Sequence, residues 1–180
     1  MTFANLQLGD AVFLDANTFI YHFTPDPLLG PPCSQLLQRI ENQELTGFTS
    51  FHVAAEVAHK MMTIEASAVL GWPFAGMANR LRRHPAEVQR LGLFRQVLQR
   101  LNQSRVRVLE NSLSNLLAAA PLSQQAGLLI NDALIVALMQ ANSLTKLASH
   151  DADFDRLAGI VRYAPARSQI MARIGGGVAN

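Results

Sequence analysis

Residues 11–18 have the sequence Ala-Val-Phe-Leu-Asp-Ala-Asn-Thr, in which a short apolar run ends at a carboxylate. Four apolar residues bounded by polar ones are typical of a buried strand. Later segments of similar character predict four more strands, at 45–49, 105–109, 146–149 and 160–163. Helical patterns separate them, and this alternation predicts an α/β fold whose mainly parallel central sheet is covered by helices on both faces.

The predicted helices begin at recognisable signals. Pro32 suits the first turn of a helix, Ser50 and Ser123 can cap helices, and apolar residues between 88 and 101 recur with helical spacing. These signals predict helices at 32–40, 51–66, 88–101, 112–120 and 128–141, with a turn or short helix at 151–157. We expect one domain, 1–180, with a core at about 11–164, a helical insertion at about 66–103 and a flexible tail at about 174–180.

Composition argues against several classes of protein. Apolar residues make up 49% of the 180 and charged residues only 16%, unlike a disordered chain or a coiled coil. The single cysteine, Cys33, allows neither a disulfide framework nor a Cys-rich zinc site, and the histidines form no H-x-x-x-H pair. No apolar stretch reaches membrane-spanning length and the N-terminus lacks a signal-peptide core, so we expect a cytoplasmic protein with no membrane partner.

The net charge of +2 conceals an uneven distribution. Residues 1–79 carry two basic and seven acidic side chains, a net −5, whereas 80–107 carry eight arginines and one acid, a net +7. After residue 107, five basic and five acidic side chains cancel. A concentrated arginine block indicates an anionic partner, most often nucleic acid, and the alternative is a solvated helix face rich in arginine.

Two acidic residues follow predicted strands closely. Asp15 ends the first apolar run, and Asp151 follows the strand at 146–149. Ligands bind at the carboxyl ends of parallel strands, so these two acids would face each other if their strands are neighbours. The alternative is that each acid starts a turn or caps the next segment.

Two further acids lie within apolar helices. Asp132 interrupts a helix that is apolar almost all round, where a carboxylate is costly unless it is paired or metal-bound. Capping of that helix is the simpler interpretation of Asp132 taken alone. Glu56 lies in an Ala-rich helix, where Lys60 or His52 is an available partner, so structural and functional interpretations are balanced.

Several carboxylates at one edge of a sheet would repel each other unless a cation lay between them. Ligation by carboxylates alone selects a hard divalent ion, Mg²⁺ or Mn²⁺, over zinc. Such an ion bridges substrate phosphates, lowers the pKa of a bound water and stabilises the leaving oxygen. Together with the arginine block, the acids therefore predict metal-assisted chemistry on a phosphate backbone.

Four segments carry these acids in a recognisable order. They are Val12-Phe13-Leu14-Asp15-Ala16-Asn17-Thr18, Glu56 after Thr49-Ser50, Asn131-Asp132-Ala133-Leu134-Ile135-Val136-Ala137, and Ser149-His150-Asp151-Ala152-Asp153-Phe154. In order and spacing, from Val12 to about Tyr163, the chain resembles the PIN-domain ribonucleases, particularly the VapC-type toxins of toxin–antitoxin pairs. It departs from them at Ala16, where the family often has Thr or Ser, and at 66–103, which is longer than in compact members.

The resemblance implies a three-layer α/β/α sandwich and a Mg²⁺- or Mn²⁺-dependent endoribonuclease, the toxin of a toxin–antitoxin pair. Its reaction would be in-line attack by a metal-activated water. The residues implied to hold the metal and carry catalysis are Asp15, Glu56, Asp132 and Asp151. Asp153 would assist a second metal or a water, while Asn17, Thr18 and Ser149 would orient ligands or substrate. The implied partners are RNA, an antitoxin protein and a second copy of the chain in a homodimer.

Within the arginine block, we expect Arg80, Arg82 and Arg83 to bind nucleic acid. Three other functions compete with the nuclease. A haloacid-dehalogenase-like phosphatase also begins with a strand ending in Asp, but it needs a second Asp where this chain has Asn17. A catalytically inactive PIN-like module for binding nucleic acid or protein is disfavoured by the intact acid set. A nuclease acting on DNA stays open, because the sequence contains no discriminator between the two sugars.

Overall fold

The computed structural model describes residues 1–166, and its centre is a sheet of five parallel strands. The strands lie in the order β3-β2-β1-β4-β5. Their bounds are Ala11–Leu14 (β1), Thr46–Ser50 (β2), Arg107–Leu109 (β3), Lys146–Ala148 (β4) and Val161–Tyr163 (β5). The tail predicted at 174–180 lies outside the described residues.

The central strand, β1, is the most deeply buried part of the sheet. Val12, Phe13 and Leu14 are fully buried, because β2 and β4 pair with β1 on its two sides and helices cover both faces. All five strands run in the same direction, so their carboxyl ends lie at one edge, which we call the carboxyl edge. The residues that follow β1, β2 and β4 therefore come together there.

The helices form a layer on each face of the sheet. Their bounds are Ala16–Phe23 (α1), Gly30–Glu41 (α2), Phe51–Leu70 (α3), Met77–Arg83 (α4), Pro85–Arg90 (α5), Leu93–Gln103 (α6), Leu113–Ala126 (α7) and Ile130–Ala141 (α8). Helices α1, α2, α3 and α6 connect β1 to β3, whereas α7 and α8 connect β3 to β4. Parallel crossovers are right-handed, and the second connection crosses the sheet in the opposite direction, so the two groups cover opposite faces. The predicted three-layer α/β/α fold is confirmed.

The sequence prediction missed α1. Aromatic and β-branched residues of weak helix propensity fill much of this segment, so no helical pattern stands out. Asp15 nevertheless caps the helix, because its carboxylate accepts a hydrogen bond from the Ala16 N–H. The acid that ends β1 thus also begins α1.

The single helix predicted at 88–101 is wrong, because the structure divides it between α5 and α6. The break lies at Leu91 and Gly92. The Glu65 carboxylate on α3 accepts hydrogen bonds from the N–H groups of Gly92 and Leu93, at 2.8–3.1 Å. A distant carboxylate therefore satisfies the free N–H groups at the start of α6.

Two predicted caps are also wrong. Helix α7 continues through Pro121 to Ala126, and the Ser123 hydroxyl donates to the Leu128 carbonyl instead of capping a new helix. Packing of α7 against α8 outweighs the backbone hydrogen bond that the proline removes. Asp132 does not cap α8, because the helix already begins at Ile130 and places Asp132 in its first turn.

The apolar sequence of α8 is explained by its burial. Every residue from Ala133 to Met139 is buried in the core. In the part of the chain that the structure describes, no single helix is long and apolar enough to cross a membrane. Helices α7 and α8 meet that requirement only as a pair, which is bent by 116°.

Candidate active site at the carboxyl edge of the sheet

Asp15 is the first residue after β1 and is buried at the carboxyl edge, with 6% of its surface exposed. Its Oδ1 accepts a hydrogen bond from the Ala16 N–H at 2.7 Å. Its Oδ2 accepts one from the Ser149 hydroxyl, also at 2.7 Å. The start of α1 and the end of β4 therefore fix the orientation of this carboxylate.

Burial raises the pKa of Asp15 to about 6, because the charged form loses its solvation. The hydrogen bonds from Ser149 and Ala16 lower this pKa, and the charges of Glu56 and Asp151 raise it. The carboxylates of these three acids therefore interact across one shared space. When all three acids are ionised they repel one another, and a cation among them would relieve that repulsion.

Asp132 lies half-buried in the first turn of α8. Burial raises its pKa to about 6, and the charges of Asp15, Asp151 and Asp153 act in the same direction. A helix N-terminus normally favours a carboxylate. Burial and crowding by other acids therefore outweigh that effect here.

Ser149 links two of the acids. Its hydroxyl donates to Asp15 and accepts a hydrogen bond from the Asp151 N–H at 3.0 Å. The Asp151 carboxylate accepts a hydrogen bond from the Asp153 N–H at 2.9 Å, which caps the short 3-10 helix Ala152–Arg156. Both interpretations of Asp151 are therefore compatible, since it caps a turn and also interacts with the other acids.

Glu56 is exposed in the second turn of α3. The Ser50 hydroxyl caps this helix by accepting from the Val53 N–H, which determines where α3 leaves β2. Among residues 1–166, Glu56 forms no ion pair with Lys60. Glu56 is therefore the least restrained acid of the set, although its charge reaches Asp15.

The residues expected to orient ligands differ in their exposure. The Asn17 amide lies half-buried beside Asp15, and its Nδ2 donates to the Asp15 Oδ2 at 3.4 Å. Thr18 is buried, and its hydroxyl donates to the Ala148 carbonyl at 3.1 Å. Thr18 therefore ties α1 to the end of β4, next to Asp15.

Two arginines pair with acids that follow β4. Asp153 forms an ion pair with Arg156 at 2.8 Å, and Asp155 forms one with Arg162 at 2.6 Å. Arg162 also donates to the Ser149 carbonyl at 3.3 Å, which supports the loop that carries Asp151. The sequence interpretation missed Arg162, for which the only signal was a charged residue inside a predicted strand.

His52 does not pair with Glu56, although their spacing along α3 makes it an available partner. Its Nδ1 lies 2.8 Å from the Asn111 Nδ2 and 2.9 Å from the Ser50 Oγ. Asn111 follows β3, so this group also lies at the carboxyl edge. The sequence interpretation missed Asn111, although a polar residue two positions after a strand was an available signal.

The acids approach one another without forming a closed ligand set. Within residues 1–166, no three His, Cys, Asp or Glu side chains are grouped closely enough to hold a metal ion. Asp15 and Asp132 nevertheless feel the charges of the other acids. Carboxylate oxygens are the ligands that Mg²⁺ and Mn²⁺ prefer, so the donor chemistry fits such an ion provided that the acids move inwards.

The arginines expected to bind nucleic acid lie on α4, away from the acids. Helix α4 packs through Met77 and Leu81 against Ala66, near the end of α3. Ala66 follows Glu56 by ten residues, which correspond to about 15 Å of helix. The structure therefore does not bring this group of arginines to the carboxyl edge.

The three arginines also differ among themselves. The Arg80 guanidinium donates to the Pro73 and Ala75 carbonyls, both at 3.0 Å, and so fixes the loop before α4. Arg82 and Arg83 are exposed. Only these last two present their charge fully to solvent.

Comparison with known proteins gives one family and several similar structures. The model of the PIN domain matches residues 12–160. VapBC2 from Rickettsia felis bound to a DNA fragment from its promoter is similar in structure, with a TM-score of 0.53, 18% identity, and coverage of 86% of this chain and 98% of that one. A toxin–antitoxin complex from Klebsiella pneumoniae has a TM-score of 0.50, 18% identity, and coverage of 83% and 95%. No curated protein matches the sequence significantly.

Proposed function

Because the chain belongs to the PIN domain family, as the motifs in its sequence predicted, we propose that it is a metal-dependent endoribonuclease. The observation that carries this proposal is the buried Asp15 carboxylate at the end of β1, whose pKa is raised by burial and by neighbouring acids. A hard divalent ion, Mg²⁺ or Mn²⁺, fits these donors. When bound, such an ion supplies an activated water and stabilises the charge on the phosphate.

The residues proposed to hold the ion are Asp15, Glu56, Asp132 and Asp151. The Ser149 hydroxyl connects Asp15 and Asp151, because it donates to the Asp15 carboxylate and accepts from the Asp151 N–H. Asn17 restrains the second oxygen of Asp15 and is accessible enough to contact substrate. Asp153 already pairs with Arg156, so we propose that it binds a water or a second ion through its remaining oxygen.

We propose that Arg82 and Arg83 bind the phosphate backbone outside the site of cleavage. Both are exposed, and their helix packs against Ala66, about 15 Å along α3 from Glu56. Lys and Arg side chains that neutralise phosphates supply affinity without sequence specificity. Arg80 contributes charge to the same surface, but its hydrogen bonds hold the preceding loop.

The test is cleavage of a mixed panel of tRNA, single-stranded RNA and single-stranded DNA in Mg²⁺, Mn²⁺ or EDTA. We expect cleavage of RNA that requires metal and is lost in Asp15→Asn. Cleavage of DNA alone would support the DNA nuclease. Binding of RNA without cleavage, and without metal binding, would support the inactive module.

We also propose that this nuclease is the toxin of a toxin–antitoxin pair and acts in the cytoplasm. The support is the similarity in fold to VapBC2 and to a toxin–antitoxin complex. Expression of the wild-type chain in a bacterial host should arrest growth, and Asp15→Asn should relieve the arrest. Normal growth at a high level of folded wild-type protein would argue against a toxin.

We further propose that the chain forms a homodimer through α7. Leu113, Leu116 and Leu117 are spaced on one face of this helix and are 71%, 41% and 67% exposed. Helix α7 contains no charged residue, so two copies can pack without opposing like charges. Light scattering should give a dimer for the wild type and for the control Gln125→Lys, and a monomer for Leu117→Lys. A dimeric Leu117→Lys protein would refute this interface.

A further inference from the structure

A partly buried polar junction joins three elements at the carboxyl edge, beside the acids but separate from them. It consists of Ser50 at the end of β2, His52 in the first turn of α3 and Asn111 in the loop between β3 and α7. The His52 Nδ1 lies 2.9 Å from the Ser50 Oγ and 2.8 Å from the Asn111 Nδ2. The proposed reaction does not yet use any of these three side chains.

The orientation of the Asn111 amide sets the tautomer of His52. With Nδ2 facing the ring, the amide donates and Nδ1 accepts, so the proton of the neutral ring lies on Nε2. Burial lowers the pKa of His52, whereas its contacts with the Asn111 side chain and the Asn131 backbone act in the opposite direction. The Nε2 is itself buried, and within residues 1–166 neither it nor the Asn111 Oδ1 has a hydrogen-bond partner.

The unpartnered Nε2–H lies near the start of α8. The backbone of Asn131 is close enough to raise the pKa of His52 against the effect of burial, but it does not reach hydrogen-bond geometry. Asn131 immediately precedes Asp132, and Glu56 is one turn beyond His52 on α3. The imidazole therefore lies where the helix that carries His52 and Glu56 approaches the helix that carries Asp132.

We propose that His52 is a positioning residue, which sets the separation of Glu56 and Asp132 by donating its Nε2–H to the Asn131 carbonyl when a divalent ion draws the acids together. Two features of the described residues favour this. The acids form no closed ligand set, and the Nε2–H lacks a partner. An approach of α3 towards α8 would bring the Nε2–H towards the Asn131 carbonyl and Glu56 towards Asp132. The inference rests on the proposed function, which supplies the ion.

The test compares Mg²⁺ affinity, measured by calorimetry, between two variants of His52. Glutamine places an amide nitrogen near the position of Nε2, whereas the shorter asparagine can replace only Nδ1, with its amide oxygen as the acceptor. We expect His52→Asn to weaken Mg²⁺ binding by about 10- to 100-fold, and His52→Gln to recover most of that loss. The control His59→Gln, at an exposed position of α3, should bind like the wild type. Wild-type affinity in folded His52→Asn would overturn the proposal.

A measurement on the wild type keeps the proposal testable if His52→Asn does not fold. Imidazole ¹⁵N spectra should show the Nε2–H tautomer of His52, and its proton should move downfield when Mg²⁺ binds. Mg²⁺ binding with an unchanged His52 signal would overturn the positioning role alone. A wild-type protein that neither binds Mg²⁺ nor cleaves RNA would overturn the proposed function, and the role of His52 with it.

Discussion

Replacement of Asp15 with asparagine is expected to stabilise the metal-free protein at neutral pH. The pKa of Asp15 is about 6 in the folded protein, against an ordinary value of 3.8. A difference of about 2 pKa units corresponds to about 3 kcal/mol, the amount by which the free energy of unfolding is reduced once Asp15 is ionised. Asparagine can still accept a hydrogen bond from the Ala16 N–H, but it presents an NH₂ group to Ser149 in place of an acceptor oxygen. Because this substitution costs part of the gain, we expect the free energy of unfolding to rise by about 1–3 kcal/mol.

The gain in stability of Asp15→Asn over the wild type should increase with pH. The folded-state pKa of Asp15 is raised above its unfolded value. Protonated Asp15 therefore contributes fully to the stability of the wild type below pH 3.8, and this contribution is lost as the pH rises through 6. Wild type and Asp15→Asn should therefore be similar in stability near pH 4. They should diverge between pH 4 and 7, with the variant the more stable.

The assay is urea unfolding in EDTA at a series of pH values. Asp155→Asn is the matched control, because a hydrogen bond from Arg162 lowers the pKa of Asp155 and its removal should bring no gain at neutral pH. A wild type as stable as Asp15→Asn at pH 7.5 would refute the reasoning. So would a gain of the same size at pH 4, because it could not arise from the charge of Asp15.

Three further predictions concern the ion, the support of the site and the arginine surface. Mn²⁺ should raise the melting temperature of the wild type but not of Asp15→Asn, and equal shifts would argue against a shared site. Thr18→Val should cost about 1 kcal/mol of stability by removing its hydrogen bond to Ala148, with Mn²⁺ still bound; loss of the ion would contradict a purely supporting role. Joint replacement of Arg82 and Arg83 by glutamine should reduce the slope of log affinity for single-stranded RNA against log salt by about 1.4, and an unchanged slope would assign this surface to a protein partner.

The sheet could be predicted because its strands are short apolar segments. The bounds of β1 agree residue for residue, and the other four strands lie within two residues of their predicted positions. The helices were less accessible to local patterns. The break before α6 depends on Glu65, which is 27 residues from Gly92 in sequence, so no window around Gly92 contains its cause.

The position of the acids was predictable, but their environment was not. Asp15 and Asp151 follow neighbouring strands, so topology alone brings them to one edge. The pKa of Asp15 depends on burial, which arises only when α1, β4 and the loop after β4 pack around it. The buried role of Thr18 depends on α1, the helix that the sequence prediction missed.

Parallel measurement of Mn²⁺ occupancy and RNA cleavage on the same samples tests the metal-dependent reaction most directly. Wild type and Asp15→Asn are titrated with Mn²⁺ from an EDTA-treated state, and bound metal and cleavage rate are recorded at each step. We predict that the wild-type rate follows occupancy and that Asp15→Asn shows no cleavage at any metal concentration. Cleavage by the wild type in EDTA, or by Asp15→Asn at the wild-type rate, would contradict the proposed function.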